Sequence, residues 1–202
     1  MASLNIVGGT ADGRLRKTAT AVAGWAACRA ATPSVATTGT IYAVHRSLLA
    51  GTFYLDRAYF LFDVSPFQAG GAYASATITA VTLNLYFTEV QGTANFTIYY
   101  TDWGTSLAAG DWSAVLGTAA TASTAPGAVG QKAITLINLA SLLTANGRLE
   151  FTLTDETTEP TGANDIGIDQ AEHTTPAYRP SITVTYTMPT NHGLMMMKCG
   201  QA

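Results

Sequence analysis

Charged side chains are scarce in this sequence. Only 11% of its 202 residues are Asp, Glu, Lys or Arg, whereas a soluble domain usually carries about 25%. The formal net charge of −3 also lacks the basic excess that is typical of nucleic-acid-binding proteins, so nucleic acid is not an expected partner. Such low charge indicates either a surface of uncharged Thr, Ser and Ala or extensive coverage by partner molecules, and both interpretations stay open.

Long apolar runs are missing as well. A membrane-spanning helix needs about 20 predominantly apolar residues, and the longest uncharged stretch, 64–88, is interrupted by Pro66, Gly70 and Gly71. Residues 1–9 have neither the basic start nor the apolar core of a signal peptide. We therefore expect a protein that is made and assembled in the cytoplasm and has no membrane partner.

Cysteine and the usual signatures of catalysis are equally sparse. The two cysteines are Cys28 and Cys199, and the simplest interpretation is one buried thiol and one incidental thiol, since spacing alone does not establish a disulfide. The three histidines are scattered, and no zinc-protease, paired-cysteine, nucleophile-elbow, P-loop or dinucleotide signature is present. We expect a protein that is not an enzyme and needs no cofactor.

Short β-rich runs recur along the chain, separated by clusters of Gly, Pro, Ser and Asp. In 81–87 the apolar side chains Val81, Leu83, Leu85 and Phe87 share one face, as in a half-buried strand. Many short strands with regular turn signals predict a sandwich or barrel. The predicted strands are 13–19, 22–29, 40–46, 53–64, 77–88, 93–100, 112–116, 131–138, 148–154, 165–170 and 181–188.

The sequence predicts one helical segment. Asn138 is a plausible N-cap and Asn146-Gly147 a stop signal, which predicts a short helix within 138–147. No charge run or Pro-rich linker divides the chain. We therefore predict an all-β fold: a single antiparallel β-sandwich over 11–188 with one short helix, an N-terminal arm at 1–10 and a C-terminal arm at 189–202.

Three segments carry a resemblance to a known family. They are RAYFLFD at 57–63, ATITAVTLNLY at 76–86 and RPSITVTY at 179–186. In this order they resemble the DNRLRE-type, carbohydrate-binding-module-like jelly-roll domains over about residues 11–187. Similar stretches occur in virion proteins of tailed phages, where a Trp-Ala pair like that at 25–26 is also found. Leu61 departs from the family, which commonly has a basic residue there.

The resemblance implies a jelly roll and a choice of roles. The leading expectation is a non-enzymatic structural protein of a phage particle, such as a capsid decoration or other virion-surface protein. It would assemble in the host cytoplasm with copies of itself and with a capsid or other virion protein. The alternatives are a carbohydrate-binding module, and a subunit of an extracellular β-filament that adds a terminal strand to its neighbour.

The predicted partner contacts are apolar residues at the chain ends and on one strand face. Tyr59 and Leu61 lie opposite Phe60 and Phe62, so either a neighbouring element of the chain or another subunit covers them. The Leu-Met-Met-Met run at 194–197 is either part of a frayed tail or an arm docked on the body or on a neighbour. The predicted contacts are Leu4, Ile6, Tyr59, Leu61, Leu194, Met195, Met196 and Met197.

Aromatic residues around one loop are candidates for stacking on a surface glycan. The two DW pairs at 102–103 and 111–112 lie close together in the sequence. Tryptophans in such loops more often anchor the loop to the core, so both interpretations are kept. The candidate stacking residues are Tyr100, Trp103 and Trp112.

Acidic residues are concentrated late in the chain. Six of the 13 acids lie within 155–172, and no Lys or Arg interrupts them. This segment is either a solvated rim, a structural Ca²⁺ site, or the electrostatic counterpart of basic residues on a neighbouring copy. The candidate ligands are Asp155, Glu156, Asp165 and Asp169, and the basic residues are Arg14, Arg16, Lys17 and Arg29.

Overall fold

The computed structural model describes residues 1–37, 41–113 and 116–189. The described residues form twelve strands, two short α-helices and three 3-10 turns. The 3-10 turns are Ser65–Phe67, Ala109–Asp111 and Pro176–Tyr178. The strands and helices are β1 (Ala2–Val7), β2 (Gly13–Thr20), α1 (Trp25–Ala30), β3 (Ser34–Ala36), β4 (Ile41–Leu49), β5 (Thr52–Leu61), β6 (Thr77–Gln91), β7 (Phe96–Tyr100), β8 (Thr118–Ala119), β9 (Gly130–Thr135), α2 (Ala140–Thr144), β10 (Arg148–Leu153), β11 (Asp165–Asp169) and β12 (Ser181–Thr187).

Eight of these strands are arranged as a jelly roll. The first sheet runs β1-β12-β6-β9 and the second runs β5-β10-β7-β8, and every neighbouring pair is antiparallel. Numbered in chain order within these eight, the sheets read 1-8-3-6 and 2-7-4-5, which is the double Greek key of a jelly roll. Strand β4 pairs with β11 and then with β5, so it links the two sheets along one side. The predicted all-β sandwich is confirmed.

The main core lies between the two sheets. Alternate residues of β6 point into it, and Val81, Leu83, Leu85 and Phe87 are all fully buried. Phe60 on β5 belongs to the same core. Burial of each such side chain stabilises the folded state by about 1.5–3 kcal/mol. The apolar side chains at alternate positions therefore stabilise the packing of one sheet on the other.

One predicted strand is replaced by a helix, and the described residues of a second lie in no strand. The segment 22–29 contains α1 instead, because Trp25 and Cys28, three residues apart, are both buried on one helical face. Trp112 and Ser113 of the segment 112–116 lie in no strand, and residues 114 and 115 lie outside the described part. The predicted helix at 138–147 is confirmed as α2, so the described chain has two helices where the sequence predicted one.

The N-terminal arm is part of the sandwich. Strand β1 pairs with β12 through six consecutive residue pairs, from Ala2 opposite Tyr186 to Val7 opposite Ser181. Leu4 and Ile6 pack against the main core of the same chain. These two predicted partner contacts are therefore internal contacts, whereas Leu194, Met195, Met196 and Met197 lie outside the described residues.

Candidate functional site

The outer side of the second sheet carries a buried network of charged groups. Arg57 on β5 is 2% exposed, and its Nη1 donates to Glu150 Oε1 on the neighbouring β10 at 2.8 Å. Its Nε and Nη2 donate to both carboxylate oxygens of Glu156 at 2.8 and 2.6 Å. A bidentate pair of this kind fixes both side chains, so Arg57 ties the loop after β10 onto the sheet.

Glu150 is the buried acid of this network. Its Oε1 also accepts a hydrogen bond from the Tyr59 hydroxyl, and its Oε2 accepts one from Thr101 Oγ1, both at 3.1 Å. Burial raises the pKa of Glu150, and the nearby Arg57 guanidinium opposes that rise. The carboxylate thus has partners for both oxygens although it is removed from water.

The loop after β7 covers Tyr59, which corrects one prediction. Tyr59 is fully buried and meets the Trp103 ring edge-on, with 6.3 Å between the ring centroids. Leu15 and Leu107 complete this second cluster, and Leu61 packs at its margin. Of the two alternatives left open for this face, cover by a neighbouring element of the same chain is the one found at Tyr59, so Tyr59 is not a subunit contact, and Leu61 is half-buried beside it.

Two of the three predicted stacking residues are also buried. Trp103 is 3% exposed and Tyr100 is 4% exposed, and the Tyr100 hydroxyl donates to the Ile137 carbonyl at 2.9 Å. Neither ring offers an open face to a glycan, because each anchors its segment to a core. Only Trp112 among the three is partly exposed.

Trp112 holds two cations beside a cavity. Its ring centroid is 4.2 Å from Arg57 Cζ and 4.6 Å from Lys17 Nζ, both within cation–π distance. The cavity has a volume of about 500 Å³. Its lining residues are Lys17, Arg29, Leu55, Arg57, Tyr99, Trp112, Leu116, Thr152, Leu153, Thr154, Asp155, Glu156 and Thr157.

The four predicted calcium ligands are not brought together. Glu156 pairs with Arg57 and Asp155 with Arg46, whereas Asp165 and Asp169 each lie 3.8 Å from the Nε2 of a different histidine, His45 and His173. In the part of the chain that the structure describes, no three His, Cys, Asp or Glu side chains are grouped to hold a metal ion. The four acids therefore contact four different basic side chains and do not converge on one point.

Part of the predicted basic cluster is satisfied within the chain. Arg16 donates from Nε and Nη2 to the buried carboxylate of Asp56, at 2.7 to 3.0 Å. His45 Nδ1 lies 2.6 Å from the same carboxylate, and Arg14 approaches it to 4.0 Å. Sequence reasoning missed Asp56, although an acid in the middle of the largely apolar segment 53–64 is a usable signal for a buried ion pair.

The outer side of the first sheet has the opposite character, because it is uncharged. Successive strand pairs place Asn5, Thr183, Thr82 and Thr135 in one row across four strands. The outward positions of β1, β12, β9 and the middle of β6 contain no Asp, Glu, Lys or Arg. We call this surface the neutral face, formed by Ser3, Asn5, Val7, Ala80, Thr82, Asn84, Tyr86, Gln131, Ala133, Thr135, Ser181, Thr183 and Thr185.

The neutral face ends at an open strand edge. Strand β1 pairs with β12 on one side, and within the described residues no strand pairs with its other side. Its six pairs run without a bulge, and the strand contains no charged side chain and no proline. Sheet edges of this kind are usually blunted by shortness, charge, proline or a bulge, so β1 is available for pairing with another strand.

The chain has no match among known family models, and no curated protein is significantly similar to it in sequence. A functional proposal for this chain therefore depends on its fold and on the geometry of its surface. In the described ranges, no helix has both the length and the apolar character that crossing a bilayer requires.

Proposed function

We propose that the protein is a non-enzymatic structural protein of a phage particle, a capsid decoration or other virion-surface protein that assembles with copies of itself. The observation that carries the proposal is the open edge of β1 at the border of the neutral face. Assembly proteins need a surface that meets another subunit without leaving charges unpaired, and this edge and face provide one.

The edge supports pairing between two copies. Two β1 strands related by a two-fold axis would pair antiparallel, since a two-fold contact brings the same patch of both subunits together. The six-residue strand offers a regular set of backbone donors and acceptors for this purpose. Strand β2 pairs with β5 and β3 pairs with β2, so β3 and β8 end the second sheet. These two strands are less suited, because β8 has two residues and β3 has three.

The distribution of charge supports the same role. Several of the few charged side chains are paired inside the chain, including Arg57 with Glu150 and Arg16 with Asp56. Burying an uncharged polar surface against another subunit avoids the desolvation of charges, which costs several kcal/mol per ion. The likeness of segments 57–63, 76–86 and 179–186 to phage virion proteins supports a place on a virion.

The proposal is tested by the mass of the native protein in solution and by its presence in purified particles. We expect light scattering to give a multiple of the chain mass for the intact protein. Ser3→Lys places a charge on the exposed β1 and should shift the mass towards the monomer. Val22→Lys is the matched control, because Val22 is fully exposed and lies outside the edge and the neutral face.

Two results would count against the proposal. A monomer at all concentrations, together with absence of the chain from particles that carry its gene, would overturn it. Equal behaviour of the Ser3→Lys and Val22→Lys variants would overturn the role of the β1 edge. Deletion of residues 194–202 provides a separate test of the C-terminal segment, and the same proposal expects assembly to be lost.

A further inference from the structure

A hydrogen bond at the end of β1 shows which of its backbone groups point to the open edge. The Gly8 amide donates to the Pro180 carbonyl at 2.8 Å, directly after the last residue pair of β1 and β12. In an antiparallel ladder, residues whose amide and carbonyl face the neighbouring strand alternate with residues whose groups face away. Since Gly8 faces β12, so do the even-numbered residues of β1. The residues that turn their amides and carbonyls to the open edge are Ser3, Asn5 and Val7.

A hydrogen bond on the other side of the sheet agrees with this assignment. The Leu136 amide donates to the Val81 carbonyl at 2.9 Å, directly after the last residue pair of β6 and β9. The odd-numbered residues of β6 therefore face β9, and its even-numbered residues face β12. The register of β12 on β6 and of β1 on β12 then again leaves the odd-numbered residues of β1 facing outward. The side chains of the same residues lie on the neutral face.

One antiparallel register between two copies uses all of these edge groups. Backbone hydrogen bonds form where one edge-facing residue lies opposite another, and each such pair exchanges two bonds. When Asn5 lies opposite the partner's Asn5, Ser3 lies opposite the partner's Val7 and Val7 opposite the partner's Ser3. A shift by two residues leaves an end residue without a partner inside β1. A shift by one residue brings no two edge-facing residues together.

Asn5 lies on the two-fold axis in this register. A two-fold axis places a side chain beside its own copy, so a charged group there would be repelled by its equivalent. A carboxamide has both donors and an acceptor and can therefore bond to itself. Asn5 is exposed, with Thr183 Oγ1 3.5 Å from its Oδ1, and within the described residues its Nδ2 has no acceptor. The Nδ2 donors are thus available to the partner's Asn5.

We propose that two copies of the chain pair their β1 strands antiparallel about a two-fold axis at Asn5, and that this residue sets the register. The pairing rests on the proposed function, whose subunit contact it specifies. The first sheets of the two copies then form one continuous sheet, with both neutral faces on the same side. Because each copy uses its β1 edge in the contact, assembly through β1 closes at a dimer and does not grow into a filament.

Cysteine trapping measures this register. In a Cys199→Ser background, Asn5→Cys places two thiols on residues whose Cα atoms lie about 5.5 Å apart in a hydrogen-bonded pair. This distance is within the range of about 4.4–6.8 Å that disulfides span. We expect mild oxidation to convert the Asn5→Cys variant into a covalent dimer on denaturing gels. A bis-methanethiosulfonate with a one-carbon spacer is used in parallel, so that a strained disulfide does not conceal the contact.

Variants at the two ends of β1 check the direction of the pairing. Ser3→Cys alone should not cross-link, because the two thiols would lie about 14 Å apart along the strands at about 3.4 Å per residue. Val7→Cys alone should not cross-link for the same reason. Co-expression of these two variants should give the mixed covalent dimer. Val22→Cys measures cross-linking by random collision, because Val22 is fully exposed and lies outside the edge and the neutral face.

A charge at the axis tests the same contact without cysteine. Asn5→Lys places two like charges directly opposite each other, which should weaken the dimer at least about tenfold in sedimentation equilibrium. Thr135→Lys is the matched control, because Thr135 is also exposed on the neutral face but lies on β9, away from the axis. This second variant should leave the dimer intact.

Three outcomes would overturn the inference. The first is cross-linking of Asn5→Cys no faster than that of Val22→Cys with either reagent. The second is cross-linking of Ser3→Cys or Val7→Cys alone at the rate of Asn5→Cys, which would show another register. The third is an equal effect of Asn5→Lys and Thr135→Lys on the dimer. If the intact protein is still oligomeric in these cases, the structural role stands, whereas a monomer at all concentrations counts against the proposed function itself.

Discussion

Arg57 and Glu150 face each other on neighbouring strands, with Nη1 and Oε1 2.8 Å apart and both side chains buried. They are separated by 93 residues in the sequence. Glu156 joins them from the following loop through a bidentate contact to the same guanidinium. The second sheet therefore carries on its outer side an ion cluster that depends on one arginine.

Removal of Arg57 should strongly destabilise the protein. Arg57→Met keeps an apolar side chain but leaves Glu150 buried without its cation. Breaking a buried ion pair from one side costs about 3–5 kcal/mol, and urea denaturation of the two proteins measures it. Arg29→Met is the control, since Arg29 is exposed and has no ion pair among the described residues; equal losses in both variants would contradict a structural role for the cluster.

The second prediction concerns Asp169, which is 1% exposed. Among the residues described, neither of its carboxylate oxygens has a hydrogen-bond partner, and His173 Nε2 lies 3.8 Å from its Oδ2. Burial raises the pKa of Asp169, so the folded protein holds the proton more tightly than the unfolded chain. Stability contributed by this group is therefore greatest at low pH and is lost as the pH rises through the folded pKa.

Asp169→Asn should consequently stabilise the protein at pH 7. The expected gain is about 1 kcal/mol, because an unpartnered buried charge is replaced by a neutral amide. The gain should vanish below about pH 4, where the aspartate is protonated in both states. Urea denaturation at the two pH values measures it. Asp155→Asn is the control, because hydrogen bonds from Thr158 and Thr157 lower the pKa of that exposed group and no gain is expected.

Strands whose burial alternates could be predicted together with the face that they bury. In β12 and in the middle of β6 every second residue is buried, so the pattern Val81, Leu83, Leu85, Phe87 was sufficient to place the strand and its inward face. In β5 and β10 the outer side is covered as well, and most residues are buried on both sides. Alternation therefore identified their core side but gave no information about what covers Tyr59.

The candidate site could be predicted only in part, for a physical reason. Trp112 was selected for its residue type, but its cavity depends on contacts from α1 and from the loop after β10, which are remote in sequence. Helix α1 was predicted as a strand because its apolar residues also fit a β-rich composition. In the fold, a helix places Trp25 and Cys28 on the same buried face, and this burial favours the helix. Pairings such as Arg57 with Glu156 depend on the tertiary fold and have no local signal.

The third prediction separates the roles of two tryptophans. Trp103 covers Tyr59 in a closed cluster, whereas Trp112 is partly exposed and contacts two cations. Trp103→Ala should cost about 3–5 kcal/mol, and Trp112→Ala about 1 kcal/mol, the value of cation–π contacts at partly exposed sites. Thermal denaturation ranks the two variants. A smaller loss for Trp103→Ala than for Trp112→Ala would show that Trp103 is not a core residue.

The fourth prediction concerns Cys28, which is fully buried against Lys17 and Phe53. Burial, with a further contribution from Asp56, raises the pKa of its thiol to about 11. Thiol reagents react with the thiolate, so both the lack of access and the raised pKa protect this sulfur. In a Cys199→Ser background Cys28 is the sole thiol. Ellman's reagent should react with it only when the structure around Cys28 unfolds.

The reaction should therefore be at least about 100-fold slower in the folded protein than in urea, since labelling of a buried group requires local or global unfolding.

The raised pKa of Cys28 also predicts that the free energy of unfolding depends on pH. Between about pH 8.5, the usual thiol value, and about pH 11, the unfolded chain loses its proton first, so the free energy of unfolding should fall as the pH rises. Cys28→Ala should remove that contribution while leaving other alkaline transitions in place. Rapid labelling of the folded Cys199→Ser protein, at a rate close to that in urea, would contradict the burial of Cys28 and with it the packing of α1 on β2 and β5.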